Sequence, residues 1–249
     1  MKHRVLAAGM GLVMMLTCLA GCGRKEVEIE EDPILNYTAP QEGEEIVVLH
    51  IKDMGDIKIK LFPELLPEAC ENFTTLAKEG YYDELIFHRV IEGFMIQGGD
   101  PTGTGTGGES CWGGKFDGGY SPQLIHVAGA LAYANSAGTS TDGSQFYIVT
   151  GGGLDEESLA FCTENYGTQF TNEAREMYYT NGGAPHLDGG GYTVFGQVID
   201  GLDVVFEISR VETDGNNKLK SAVYMESVTV EQYDGSEVRF DLSDYGLSR

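Results

Sequence analysis

The chemistry of this chain is concentrated in "FHRVIEGFMIQGGDPTGTGTGGES", from Phe87 to Ser110. One cation, Arg89, stands among apolar residues with no acid beside it, followed by Gln97 and a run of glycine and threonine. A lone arginine is most often a member of a surface ion pair. It can also serve as a permanently charged, rigid plane of N–H donors. Other chemistries lack their parts. "GDPTGTGTGG" has neither the GK[ST] end of a phosphate-cradling loop nor the strand–helix context of a dinucleotide fingerprint. The GxSxG elbow of serine hydrolases is absent. His50, His88 and His126 sit singly on strand-like runs, as satisfied core or rim histidines do. Cys70, Cys111 and Cys162 are far apart with no ligand spacing, so no metal is expected; one disulfide or none are both open.

The elements that must position these residues are mainly strands. "EIVVLHIKDMGDIKIKLFPE" places two apolar runs around a turn at Gly55, and Ile57, Ile59 and Leu61 alternate with Lys58 and Lys60. That period of two predicts a hairpin with one buried face. In "LLPEACENFTTLAKEG", Pro67 suits a first helical turn, where its missing N–H costs nothing. Ala69, Phe73, Leu76 and Ala77 share one helical face, and Gly80 is a natural stop. Short runs then follow between glycine-rich turns: "LIFHRVI", "FMIQGG", "GALAYAN", "SQFYIVT", "TVFGQVI" and "ESVTVEQY". Glycine, 35 of 249 residues, is at about twice the usual ~7%. Many short strands with glycine corners argue for a barrel or a sandwich. One long segment, about 154–184, interrupts the strands; its part from Asn172 to Tyr179 has helical composition. A connection of that length is usually functional or an insertion, and partner docking is one use for it.

The ends differ from the middle. "MKHR" followed by "VLAAGMGLVMMLTCLAG" has the layout of an export signal over residues 1–21, and "LAGC" (Leu19 to Cys22) resembles the lipobox of bacterial lipoproteins. That resemblance implies a lipid on Cys22 and a protein anchored outside the cytoplasm. Residues 22–44, acidic and with two prolines, predict a flexible tether. The folded domain is expected at 45–233, with a C-terminal extension at 234–249. From Cys22 onward, 14 basic and 39 acidic residues give a net charge of −25. Such a chain is repelled by phosphate backbones and anionic lipid headgroups, which excludes nucleic acid as a partner.

Three long stretches, in order, carry a further resemblance: "FHRVIEGFMIQGGDPTGTGTGG", "ALAYANSAGTSTDGSQFYIVT" and "HLDGGGYTVFGQVIDG". Over roughly Ile46 to Gln232 the chain resembles the cyclophilin family of peptidyl-prolyl isomerases. The resemblance implies a mainly β fold, a closed eight-stranded antiparallel barrel with two capping helices. One cap would be the helix near Pro67 to Glu79, the other in or near Thr163–Tyr179. It also implies an activity: rotation about X–Pro peptide bonds in proline-containing polypeptides. That rotation faces a barrier of about 18–20 kcal/mol, because C–N conjugation is lost on twisting. No bond is made or cut, so neither cofactor nor metal is required. A fixed cation aimed at the proline nitrogen binds the twisted amide better than the planar one.

By position, Arg89 matches the family's catalytic arginine, and Gln97 the glutamine that orients it and bonds the substrate backbone. Phe94, Met95, Tyr147 and Leu187 match the proline pocket; Phe94 completes the catalytic set with Arg89 and Gln97. Phe94 and Met95 are adjacent, so on a regular strand one should face in and one out, yet both are expected at the pocket rim. Ala134 and Asn135 match the segment whose main chain pairs with the peptide, and Gln145 a further polar lining residue. His186 stands where many members carry tryptophan, and Tyr192 where they carry histidine. An imidazole in place of an indole implies weakened binding of cyclosporin-type cyclic peptides, which titration reads. Trp112 is expected to be structural. We expect a monomeric isomerase acting on exported proteins; the alternative is a non-catalytic proline-peptide-binding or chaperone module using the same groove.

Overall fold

The computed structural model describes residues 33–189 and 191–246. The export signal, Cys22 and the first part of the tether lie outside the described residues. All eight strands read from the sequence form: β1 (Glu45–Ile51), β2 (Gly55–Leu61), β3 (Arg89–Ile91), β4 (Met95–Gly98), β5 (Ala130–Tyr133), β6 (Phe146–Val149), β7 (Val194–Asp200) and β8 (Met225–Gln232). They pair antiparallel in one curled sheet of order β3-β4-β6-β5-β7-β2-β1-β8. The expected barrel closure is not present as a continuous ladder between the end strands β3 and β8. The chain just before them meets instead through a single bridge, Ile86 to Tyr224, and scattered backbone bonds such as Phe87 N–H to the Val223 carbonyl. With only three residues in β3 and Glu84 at a φ of 60°, this edge is too short and kinked to carry a ladder.

The described residues hold four α-helices: α1 (Pro67–Lys78), α2 (Glu156–Tyr166), α3 (Asn172–Asn181) and α4 (Leu202–Ser209). Helix α1 begins as predicted, with proline in its first turn, Glu68 at its positive end and Lys78 at its negative end. Its buried Phe73 enters the curl of the sheet, with ring centroids 4.8 Å from Tyr82, 5.3 Å from Phe146 and 5.5 Å from Phe195. Burying one such ring contributes about 1.5–3 kcal/mol. The second helix on the sheet is α4, which packs on β2, β3 and β4, and not a helix in 163–179. Leu202, Val204, Val205, Phe206 and Ile208 are all buried. Asp203 and Glu207, four residues apart, lie on its outer face, but at eight residues the helix is shorter than the window of about 11–18 residues over which a 3.6-residue period is read.

Helices α2 and α3 belong to the inserted segment, whose helical part was anticipated only over α3. Each is capped by a side chain: Asp155 accepts from the Ser158 N–H, and Thr171 from the Ala174 N–H. They form a separate small core around Leu159, Ala174 and Tyr178 with Ile34, Ile125 and Val127. The segment returns to the sheet at Gly183, which bridges Val127. Only glycine fits there: at φ +153° an added Cβ would lie 2.3 Å from the His126 carbonyl oxygen.

The tether reading fails for residues 33–44. Ile34 and Asn36 are buried, and the Asn36 carboxamide is fully used, donating to the Ile125 carbonyl and to Gln197 Oε1 (both 3.0 Å) and accepting from Ile125 N–H (2.9 Å). Composition gave no warning, because one buried amide and one isoleucine anchor this irregular segment. The C-terminal extension is also packed. Tyr245 Oη accepts from the Gly201 and Leu202 N–H groups (2.7 and 3.2 Å), satisfying two free donors at the start of α4. Cys70, Cys111 and Cys162 are all free thiols, and burial pushes Cys70 up to about 12.

Candidate active site

Register puts the candidate residues together. Arg89 on β3 lies opposite Gln97 on β4, Gln97 opposite Tyr147 on β6, and Tyr147 opposite Ala132 on β5. Cross-strand partners share a face, so one row of side chains crosses four strands. The neighbouring row, Val90, Ile96, Ile148 and Leu131, points the other way and is fully buried. The alternation that fills the core therefore also sets arginine, glutamine and tyrosine side by side on the opposite face.

Arg89 Nη1 donates to Gln97 Oε1 (3.2 Å), Gln97 Nε2 donates to Gln145 Oε1 (2.9 Å), and Gln145 Nε2 donates to the Gly107 carbonyl (2.8 Å). Among the described residues no carboxylate pairs with Arg89, so the surface ion-pair reading does not hold. Beside the guanidinium is a cavity of about 270 Å³ lined by nine of the eleven candidates: Arg89, Phe94, Met95, Gln97, Ala134, Asn135, Tyr147, Leu187 and Tyr192. Phe94 and Met95 both reach it because Phe94 is not on the strand. It ends a turn through Gly93 (φ 72°), and β4 starts one residue later.

Two candidates fall elsewhere. Gln145 stands one bond behind Gln97 and does not line the cavity. His186 lies against the Phe94 ring (centroids 5.4 Å) and faces a neighbouring cleft. It belongs to a 3-10 turn, Pro185–Leu187. Three residues per turn send consecutive side chains about 120° apart, so Leu187 enters the pocket while His186 turns out of it. Burial, aided by His126 and opposed by Asp188, pulls the His186 pKa below its ordinary value. Trp112, expected to be structural, is half exposed and meets only the edge of Phe116 among ring partners.

Sequence reasoning missed the support under Tyr147. Its hydroxyl bonds His126 Nε2 (2.9 Å), and His126 Nδ1 bonds Asp188 Oδ1 (2.7 Å). Asp188 also accepts from the His126 N–H (2.9 Å) and, through Oδ2, from the Tyr178 hydroxyl on α3 (2.5 Å). The pocket wall is thus bonded, through a buried histidine, to the inserted helices. No local signal marks Asp188, whose partners are 10 and 62 residues away.

The glycine–threonine run wraps one carboxylate. Asp100 accepts from the N–H groups of Thr102 (2.8 Å), Thr104 (3.1 Å), Gly105 (2.6 Å) and Gly107 (3.3 Å), and from the Thr102 hydroxyl (2.8 Å). Burial alone would raise its pKa; the donors outweigh burial and bring it down to about 2. A depressed carboxylate stabilises the fold fully above its unfolded value of about 3.9. That contribution is lost as pH falls through about 2. Urea unfolding of the wild type is therefore expected to show a steep loss of stability between about pH 4 and pH 2. Asp100→Asn should cost about 2 kcal/mol at neutral pH and flatten that acid limb. An unchanged limb in the variant would show that the loop is held by other means.

The match to known proteins is decisive at this point. Residues 46–230 match the family model described as cyclophilin type peptidyl-prolyl cis-trans isomerase/CLD. The chain belongs to the cyclophilin-type peptidyl-prolyl cis-trans isomerases. A Staphylococcus aureus (strain COL) protein named for the same activity is 45% identical over 192 residues, covering 77% of this chain and 94% of its own. A Streptococcus pyogenes protein named as a bifunctional phosphatase/peptidyl-prolyl cis-trans isomerase is 41% identical over 208 residues, 83% of this chain but 42% of its own. Among solved structures, a cyclophilin type isomerase of Cryptosporidium parvum, studied in the presence of the dipeptide Ala-Pro, superposes with a TM-score of 0.60 at 32% identity. The match covers 76% of this chain and 99% of the other. This cyclophilin is an isomerase, and its fold is the family's β-rich one.

Proposed function

We propose that this cyclophilin isomerises X–Pro bonds of exported polypeptides while held at the outer face of the cell membrane by a lipid on Cys22. The observation that carries the site assignment is Arg89, a half-buried guanidinium without a carboxylate partner among the described residues, in a cavity with room for a pyrrolidine ring against Phe94, Met95 and Leu187. In this reading Phe94, Met95, Tyr147 and Leu187 grip the ring, and the main chain at Ala134 and Asn135 pairs with the substrate backbone. Gln97, fixed by Gln145, keeps Arg89 aimed at the proline nitrogen. As the amide twists, that nitrogen loses conjugation and becomes a hydrogen-bond acceptor. The donor is then worth more in the transition state than in either planar isomer. The gain is larger because the site is partly dry, where charge–dipole interactions are less screened.

The export reading rests on the signal-like residues 1–21 and the "LAGC" ending at Cys22. X–Pro isomerisation takes about 10–100 s uncatalysed, long enough to limit folding of a released chain. Cell fractionation tests the anchor: the wild type should sediment with membranes and Cys22→Ala should not. A wild type found wholly in the soluble fraction would remove the anchor while leaving the isomerase activity untouched.

A further inference from the structure

The proline cavity is not the largest concave surface of this molecule. A cleft of about 710 Å³ adjoins it, with Phe94 as a wall common to both. Its far wall is α2, within the inserted segment. A line of rings runs from the proline pocket into it: Phe94 to His186 at 5.4 Å, His186 to Tyr166 at 5.6 Å, and Tyr166 to Phe161 at 6.2 Å. Phe161 and Tyr166 are 55% and 52% exposed, among the most exposed large hydrophobic side chains described. Aromatic rings set together at a surface, with their area still wet, mark a contact site. The side of the cleft nearer the sheet is backbone: Gly93, Gly152 and Gly153 line it, and a Cβ on any of them would meet nothing within 4 Å. An extended chain can therefore approach closely there.

Charge narrows the occupant. The charged residues on the cleft are acidic, Asp155 and Glu157. Asp155 is committed to capping α2, accepting from the N–H and hydroxyl of Ser158. Glu157 is exposed and joins no ion pair among the described residues. A second copy of this acidic chain, at −23 overall, would be repelled, whereas a basic side chain would be drawn in.

We infer that this cleft is an extended substrate subsite, which binds an aromatic residue with a neighbouring lysine or arginine on one flank of the X–Pro bond being isomerised. The inference rests on the reading of the smaller cavity as the proline pocket. At about 3.4 Å per extended residue, the ring-to-ring steps place that aromatic within about five residues of the proline. The inserted segment thereby sets substrate preference, favouring basic, aromatic stretches over the short peptides that suffice for the pocket alone.

The test compares kcat/KM, by NMR exchange, for a short Ala-Pro tetrapeptide and for decapeptides carrying Phe-Lys two to five residues before or after the proline. One flank should raise kcat/KM about tenfold, the factor that ~1.4 kcal/mol of binding gives. Phe161→Ser combined with Tyr166→Ser, both at exposed positions, should bring the ratio of long to short peptide back near one. Glu157→Lys should turn the preference from Phe-Lys to Phe-Glu. A ratio near one in the wild type, or a gain that survives both variants, overturns the inference. If the wild type isomerises none of the peptides, the assignment of the proline pocket fails instead. The subsite is then judged by titration of the same decapeptides, where equal affinity for peptides with and without Phe-Lys would remove it.

Discussion

Arg89→Ala should lower kcat/KM for a short X–Pro peptide by about 10²–10³, the loss seen when one preorganised transition-state donor is removed. The change should fall on kcat, because in the proposed mechanism the apolar walls and backbone hold the planar substrate and the guanidinium acts on the twisted one. Arg89→Lys keeps the charge but not the rigid plane of donors, and should fall between the two. Stability should move by no more than about 1 kcal/mol, because Arg89 is half-buried and, among the described residues, its one side-chain hydrogen bond is to Gln97. Exchange spectroscopy on the cis and trans forms of the peptide reads the rate, and thermal unfolding controls for structure. Full activity in Arg89→Ala would sink the mechanism, because among the described residues no other cation lines the cavity.

The largest effect on stability is expected away from the reacting bond, at Asp188. This carboxylate, with a side chain 10% exposed, faces a histidine that is 1% exposed. It holds the backbone N–H and ring of His126 and the fully buried Tyr178 hydroxyl. Asp188→Ala leaves these donors without an acceptor in a dry interior, and removing one member of such a network costs about 3–5 kcal/mol. Asp188→Asn retains one good acceptor and should cost less. Because His126 also fixes the Tyr147 hydroxyl, the pocket wall should loosen, raising KM for proline peptides more than it lowers kcat. Urea unfolding with steady-state kinetics on the same sample checks both parts. A loss below about 1 kcal/mol would mean that the inserted helices and the pocket are energetically independent.

The two residues differ in how far they could be read in advance. Arg89 stands out in the sequence, since a cation among apolar residues is chemically conspicuous. The alternating runs gave all eight strands, and Pro67 with its apolar face gave α1, because period and capping are local properties that neighbouring residues carry. Asp188 offers nothing comparable. It is one acid among 39 acidic residues, and it acquires its role only when α3 and the segment before β5 meet around it. Much the same holds for α4: its outward Asp203 and Glu207 span too few residues for a helical period to be read from an eight-residue run. It holds for Asn36 too, whose amide partners lie 89 and 161 residues further on.

By itself the sequence determined the eight strands, α1 and the family, and singled out Arg89 as the residue proposed to meet the substrate nitrogen. Tertiary structure decided which strands became neighbours, in an order that follows the chain only in part. That order set the row Arg89, Gln97 and Tyr147, left Gln145 one bond behind, and turned His186 toward the second cleft. The reason is physical: periodicity states which face of an element is buried, whereas a site needs side chains from several elements on one face. Their register is fixed only by long-range pairing energies that no short window contains.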